Sequence, residues 1–130
     1  MDYLNEFEDI IGYSFTNREL LITALTHSSF VNENRSKDPT LEDNERFEFF
    51  GDAIIEFYIS EYLFNKYGSF PEGDMTKLRA SMVCEQSLAE CAKQIRLGEF
   101  MRMGKGEALS GGRERASITS DAFEALVAAI

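Results

Sequence analysis

Glu45, Glu48, Asp52 and Glu56 recur three or four residues apart in and just beyond the run Asn44-Glu45-Arg46-Phe47-Glu48-Phe49-Phe50-Gly51-Asp52-Ala53-Ile54-Ile55. The run predicts the first half of a long helix. A helix turns by about 100° per residue, so with Glu45 at zero the other three acids fall at about 300°, 340° and 20°. Four carboxylates thus share one narrow stripe. A charge run on a helix is ordinarily a solvated face. Two features speak for a site instead. No Lys or Arg stands four residues on from any of these acids, so the like charges repel by tenths of a kcal/mol per pair, roughly. Phe49 also lies beside the stripe, at about 40°, where a solvent face seldom carries a large aromatic. Phe47, Phe50, Ile54, Phe57 and Tyr58 gather on the opposite side, which is expected to be the core face.

A second acidic pair closes the chain. In Ser120-Asp121-Ala122-Phe123-Glu124-Ala125-Leu126-Val127-Ala128-Ala129-Ile130, Asp121 and Glu124 share a helical face, with Phe123, Leu126 and Ile130 behind them. Ala125 and Ala128 flank the acids and allow close approach. If the two helices pack with their acids converging, four carboxylates meet, too repulsive to stay ionised without cations. Oxygen-only donors of this kind suit Mg²⁺, with Mn²⁺ as a substitute.

The bulk composition fits one soluble domain. The 130 residues are 44% hydrophobic and 28% charged, and no apolar run approaches the ~18 residues that span a membrane. The acidic N-terminus lacks the basic start and apolar middle of a signal peptide, so a cytoplasmic location is expected. Cys84 and Cys91 are too far apart on one helix to pair and have no metal-ligand neighbours; both read as small core residues. The net charge of −10 looks wrong for a nucleic-acid binder, but it is uneven. Residues 1–74 hold 16 acids and 5 Lys/Arg, whereas residues 75–130 hold 7 acids and 8 Lys/Arg. The excess sits in the half that carries the main stripe, where divalent ions would offset part of it.

The other elements are helical too. Residues 3–11 predict a helix with Leu4, Phe7, Ile10 and Ile11 inward, ended by Gly12. Thr16 or Asn17 can cap a helix from Arg18 to His27, with Leu20, Leu21, Ala24 and Leu25 inward. His27, the single histidine, stands beside Thr26 and Ser28 and reads as a structural hydrogen-bonder. Residues 31–43 are polar, aperiodic and interrupted by Pro39, a loop. The acidic helix should run from Asn44 to Tyr67, with Gly51 explained by a close backbone approach. Asp74 can cap a helix through Met75, Leu78, Met82 and Val83, and Glu85 to Ile95 predicts another, with Leu88, Cys91, Ala92 and Ile95 inward. Gly98 to Gly106 forms a short Gly-punctuated element, and Ser110-Gly111-Gly112-Arg113 a turn. Arg113 and Arg115 precede Asp121 closely, which makes them candidate contacts to phosphate groups.

Residues 45–54, Glu-Arg-Phe-Glu-Phe-Phe-Gly-Asp-Ala-Ile, resemble the signature of ribonuclease III endonuclease domains. The resemblance extends through Leu25-Thr26-His27-Ser28-Ser29, Glu72-Gly73-Asp74-Met75, Leu78-Arg79-Ala80, Ser87-Leu88-Ala89-Glu90, Ser110-Gly111-Gly112-Arg113 and Asp121-Ala122-Phe123-Glu124-Ala125-Leu126. Phe47 and Phe50 stand where leucine is commoner, and Ser120 where Ala is; no acid departs from the pattern. The resemblance implies an all-α endonuclease domain over residues 1–130, a helical bundle forming a two-fold homodimer. It implies Mg²⁺-dependent hydrolysis of both strands of double-stranded RNA to 5′-phosphate and 3′-hydroxyl ends, with roles in rRNA and mRNA processing. The metal ligands would be Glu48, Asp52, Asp121 and Glu124, with Asp52 and Glu124 the principal catalytic acids. Glu45 would act from outside that set or at the dimer surface. Glu72 is either a helix-start acid favoured by the dipole or a residue of the site or dimer. Phe49 would anchor the dimer by entering a cavity of the partner. The last helix, read as starting near Ser117, reaches Ile130 without a capping signal, so the chain reads as a fragment without the family's double-stranded-RNA-binding domain. A catalytically silent RNA-binding or scaffold relative is the alternative, although all four acids are present. A carboxylate-bridged di-iron bundle would need His three residues after its Glu, and neither Glu48 nor Glu124 has one.

Overall fold

The computed structural model describes residues 2–130. Asp2 starts helix α1 (Tyr3–Ile11) by accepting from the Leu4 N–H at 2.9 Å, and Gly12, at φ 69°, ends it in the left-handed conformation. Asn17 caps α2 (Arg18–Ala24) by accepting from the Glu19 N–H. His27 caps α3 (Ser28–Asn34). Then follow α4 (Glu45–Lys66), α5 (Glu72–Val83), α6 (Glu85–Gln94), α7 (Leu97–Phe100), α8 (Lys105–Leu109), a 3₁₀ turn over Gly112–Glu114 and α9 (Ala116–Ala129). The fold is all-α. Among the described residues extended pairing is limited to one parallel bridge, Thr26 with Arg102. No helix of the described residues is long and apolar enough to cross a membrane.

α9 is the centre. It buries Ile118, Ala122, Ala125, Leu126 and Ala129, and also the polar Thr119, Ser120 and Glu124. α4 packs along one side of it and α6 along another, with α2 across it. The main core joins these α9 residues to Leu4 and Phe7 of α1, Leu21 of α2 and Leu97 and Phe100 of α7. The bridge region ties the site's elements together. The His27 N–H donates to the Arg102 carbonyl at 2.9 Å, and the Arg102 N–H to that of Leu25 at 2.7 Å. Asn44 holds the start of α4 to the same segment, its backbone N–H on the Thr26 carbonyl and its amide Nδ2 on that of Ala24, both at 3.0 Å.

Several expectations need correction. The predicted loop over 31–43 begins later, because α3 continues to Asn34; its only buried residue is Val31, too little apolar pattern to be seen in sequence. α2 stops at Ala24, since Thr26 enters the bridge, and Leu20 is exposed. Cys91 is exposed and Cys84 is half-buried at the start of α6, its Sγ 3.2 Å from the Ser87 Oγ; neither is a core residue. Pro71 precedes α5, so Glu72, not Asp74, begins that helix.

The largest correction concerns α4. Phe50, Phe57 and Tyr58, expected in the core, are exposed, and the helix buries only Gly51 and Leu63. On a wheel with Glu45 at zero, Gly51 lies at about 240° and Leu63 at about 0°. The packed side is therefore adjacent to Glu48 and Asp52, not opposite them. Apolar residues encircle much of this helix, so periodicity alone does not select the face that meets α9.

Candidate active site

Gly51 explains how the acids meet. A Cβ built on it would lie 1.7 Å from the Glu124 carbonyl oxygen, so the backbones of α4 and α9 touch at this point. Glu48 and Asp52 are the α4 residues on either side of that crossing, and Asp121 and Glu124 are one turn apart on α9. The result is a cleft of about 690 Å³ lined by Glu45, Glu48, Asp52, Asp121 and Glu124 together with Phe49, His27, Ser28, Asn44 and Ile118. Carboxylate oxygens of Glu48, Asp121 and Glu124 come within 4.8 Å of one another. Asp52 stands beside Glu124 on the open side of the cleft.

Charge is concentrated here without internal compensation. No Lys or Arg lines the cleft, and among the described residues no ion pair includes one of its acids. Glu124 is only 9% exposed. Burial, then Asp52 beside it, push its carboxyl up to about 8. Burial and the neighbouring Asp121 raise Glu48 to about 7. Burial also raises Asp121, while its hydrogen bond with Glu48 pulls the other way. Without cations the site holds protons that ordinary carboxyls lose near pH 4.

The donor set fits a divalent ion. Three oxygens at close range, a fourth carboxylate beside them and the absence of sulfur or nitrogen donors among these ligands match hard cations such as Mg²⁺.

Of the residues expected from sequence, Glu45, Glu48, Phe49, Asp52, Asp121 and Glu124 share this cleft. Glu72 does not. It lines a separate hollow between α4 and α5 with Ser60, Phe64, Met75 and Arg79. Ser60 is eight residues beyond Asp52, roughly 12 Å along the helix. Arg113 and Arg115 lie outside the cleft lining and make internal contacts. Arg113 Nη1 donates to the Gly98 and Met101 carbonyls at 3.0 and 2.8 Å, and Arg115 pairs with Glu107 and donates to the Ser110 carbonyl. Sequence reasoning missed His27, Ser28, Asn44 and Ile118 as cleft residues. Asn44 was within reach of it, since a residue four before Glu48 lies on the same helical side.

An all-α bundle with carboxylates gathered where two helices cross defines a helical domain with a candidate divalent-cation site. The chain belongs to the ribonuclease III family: the Ribonuclease-III-like family model matches residues 17–130. Ribonuclease 3 of Bacillus cytotoxicus and that of Bacillus cereus strain AH187 are each 51% identical to it over 124 residues, 95% of this chain and 50% of theirs. The chain thus spans about half the length of the curated relatives it matches. Two solved structures of the nuclease domain of ribonuclease III from Campylobacter jejuni are 42% identical, with TM-scores of 0.89 and 0.88. They align with 98% and 100% of this chain, and with 83% of each of those chains. One of them concerns structural flexibility in a region involved in that domain's dimer formation.

Proposed function

We propose that the chain is the catalytic part of a divalent-metal-dependent endoribonuclease that hydrolyses double-stranded RNA. The observation that carries this is the convergence of Glu48, Asp121 and Glu124 at the Gly51 crossing, with no Lys or Arg among the described residues that line the cleft. Glu48, Asp52, Asp121 and Glu124 would hold the ions, Mg²⁺ in the first place. Bound there, divalent ions supply an activated water and offset charge on the leaving oxygen. Asp52 and Glu124 are the principal acids of this reading. Glu45 borders the cleft from one turn earlier on α4 and adds negative potential that favours cations. In the reaction, water oxygen bonds to phosphorus as the bond to the 3′ oxygen breaks. The 3′ oxygen gains a proton, and the products carry 5′-phosphate and 3′-hydroxyl ends.

A symmetric homodimer would supply the second site needed for the second strand. Phe49 is 83% exposed and Phe64 71%, and Phe50 and Phe57 lie open on the same side of α4. Such a patch favours a partner surface, and the dimerising nuclease domain from Campylobacter jejuni supports a second copy as that partner. Glu72, outside the cleft within one chain, is assigned to this dimer reading. The reading places the protein in the cytoplasm, in rRNA and mRNA processing. Arg113 and Arg115 remain candidate contacts to RNA phosphates in this reading, Arg115 being the more exposed of the two.

The test is substrate class. With Mg²⁺, a labelled RNA duplex should be cut to 5′-phosphate ends, while single-stranded RNA and a DNA duplex of the same sequence are spared, because recognition uses A-form shape and 2′-hydroxyls. Equal cutting of the DNA duplex would contradict it.

A further inference from the structure

His27 lines the cleft but is not among the residues whose donor atoms cluster there. Its Nδ1 lies 3.1 Å from the Ser29 backbone nitrogen, which can only donate, so Nδ1 accepts. The Ser29 Oγ is 2.7 Å from the same Nδ1, and it accepts from the Gly104 N–H at 2.9 Å. That leaves the Ser29 hydroxyl hydrogen for Nδ1. Two donors thus converge on one ring nitrogen, and the ring's own hydrogen resides on Nε2. A protonated Nε2 has no lone pair for a metal ion, so His27 is a donor in this cleft and not a ligand. No hydrogen bond within the described residues occupies Nε2, and no buried polar atom there lacks a partner, so this N–H meets solvent. The carboxylates around it only accept when ionised, and the Asn44 amide Nδ2 is already given to the Ala24 carbonyl.

We propose that the His27 Nε2–H donates a hydrogen bond to a non-bridging oxygen of the phosphate that is cut, holding it against the acid cluster. The inference rests on the nuclease reading above. A fixed donor aimed at an oxygen that gains charge during reaction acts on the rate more than on binding. The α3 cap formed by Nδ1 is what holds the ring in place, so the structural and substrate roles use opposite sides of one imidazole.

Two substitutions separate those roles. His27→Asn keeps an oxygen near the Nδ1 position and is a strong helix cap, but has no distal donor. His27→Gln places an amide N–H near the Nε2 position. In single-turnover cleavage of a short RNA duplex with Mg²⁺, His27→Asn should slow cutting by about tenfold to a hundredfold. Its melting temperature, Mn²⁺ affinity and duplex affinity should stay close to those of the unsubstituted protein, and His27→Gln should recover part of the rate. Wild-type cutting by His27→Asn overturns the proposal. So does a loss of Mn²⁺ binding that matches the loss of rate, which would make His27 a support for the acid cluster. If the unsubstituted protein does not cut, the nuclease reading fails separately. The donor is then read by ¹⁵N-resolved NMR of the imidazole in Mg²⁺: its Nε2–H signal should shift when the duplex is added at saturating concentration, and a ring protonated at Nδ1 or a signal that does not move overturns the inference.

Discussion

Glu48 and Glu124 hold their protons to about pH 7 and 8, far above the ordinary value of 4.5, because burial and neighbouring acids penalise their charge. The folded state therefore binds protons that the unfolded chain has released. Stability from this source is complete below about pH 4.5 and is lost as pH rises through 7 to 8. Asp2 and Glu8, whose pKa values are lowered by hydrogen bonds to backbone N–H groups and by Arg18, act in the opposite sense but only below their ordinary range. Between pH 5 and 8.5 the cleft acids dominate. The metal-free protein should melt roughly 5 °C lower at pH 8.5 than at pH 5, and Mg²⁺ should restore more at the higher pH. Calorimetry in EDTA at both pH values checks this; a melting point that rises across the window would contradict it. The identity of these acids was legible from sequence because carboxylates at three- and four-residue spacing must share a face. The internal contacts of the arginines were not. Proximity of Arg113 and Arg115 to Asp121 along the chain says nothing of the carbonyls they meet in space. His27 was legible as a structural hydrogen-bonder, its Nδ1 capping α3, but its place in the cleft depends on Arg102, far along the chain.

Among the elements, the α4–α9 crossing decides whether a site exists at all. Sequence suggested that Gly51 marks a close approach, and the space around it shows how close: backbone, not a flexible side chain, fills the place of a Cβ. Gly51→Ala should cost about 3 kcal/mol or more, since α9 must move as a unit, and it should separate Glu48 from Glu124. Gly73, within α5, has nothing within 4 Å of a built Cβ, so Gly73→Ala should be neutral or slightly stabilising. Urea unfolding of the two variants checks the contrast; a change below about 1 kcal/mol for Gly51→Ala would show that the crossing relaxes freely. Helix existence was readable for most of the chain from caps and apolar spacing. The orientation of α4 was not, because a face buried against a partner and a face buried in the core carry the same residues.

For the whole molecule, that ambiguity becomes a statement about assembly. α5 has no buried residue, and α4 beyond Asp52 buries only Leu63, so this end of the fold has little core of its own. Covering it with a second copy would bury Phe49 and Phe64 and bring two acid clefts into one particle. Phe49→Ala should weaken the dimer by about 2 kcal/mol or more, roughly thirtyfold in dissociation constant, as for a central aromatic anchor. Sedimentation equilibrium checks it; an unchanged dimer removes Phe49 as the anchor. On the proposed reading, the net charge of −10 should make this domain a weak binder of RNA by itself, with an affinity that depends on divalent ions more than on its arginines.

The central claim is that these converging acids cut RNA through divalent ions, and one measurement tests it most directly. A long labelled RNA duplex is incubated with the protein and with Glu124→Gln, each in Mg²⁺ and in EDTA. Cutting by the unsubstituted protein in Mg²⁺ alone, reduced at least about a hundredfold in the variant, is the expected result. Cutting in EDTA, or undiminished cutting by Glu124→Gln, would contradict the account. No cutting by a folded dimer that binds Mn²⁺ would make the domain a silent scaffold with an intact acidic cleft.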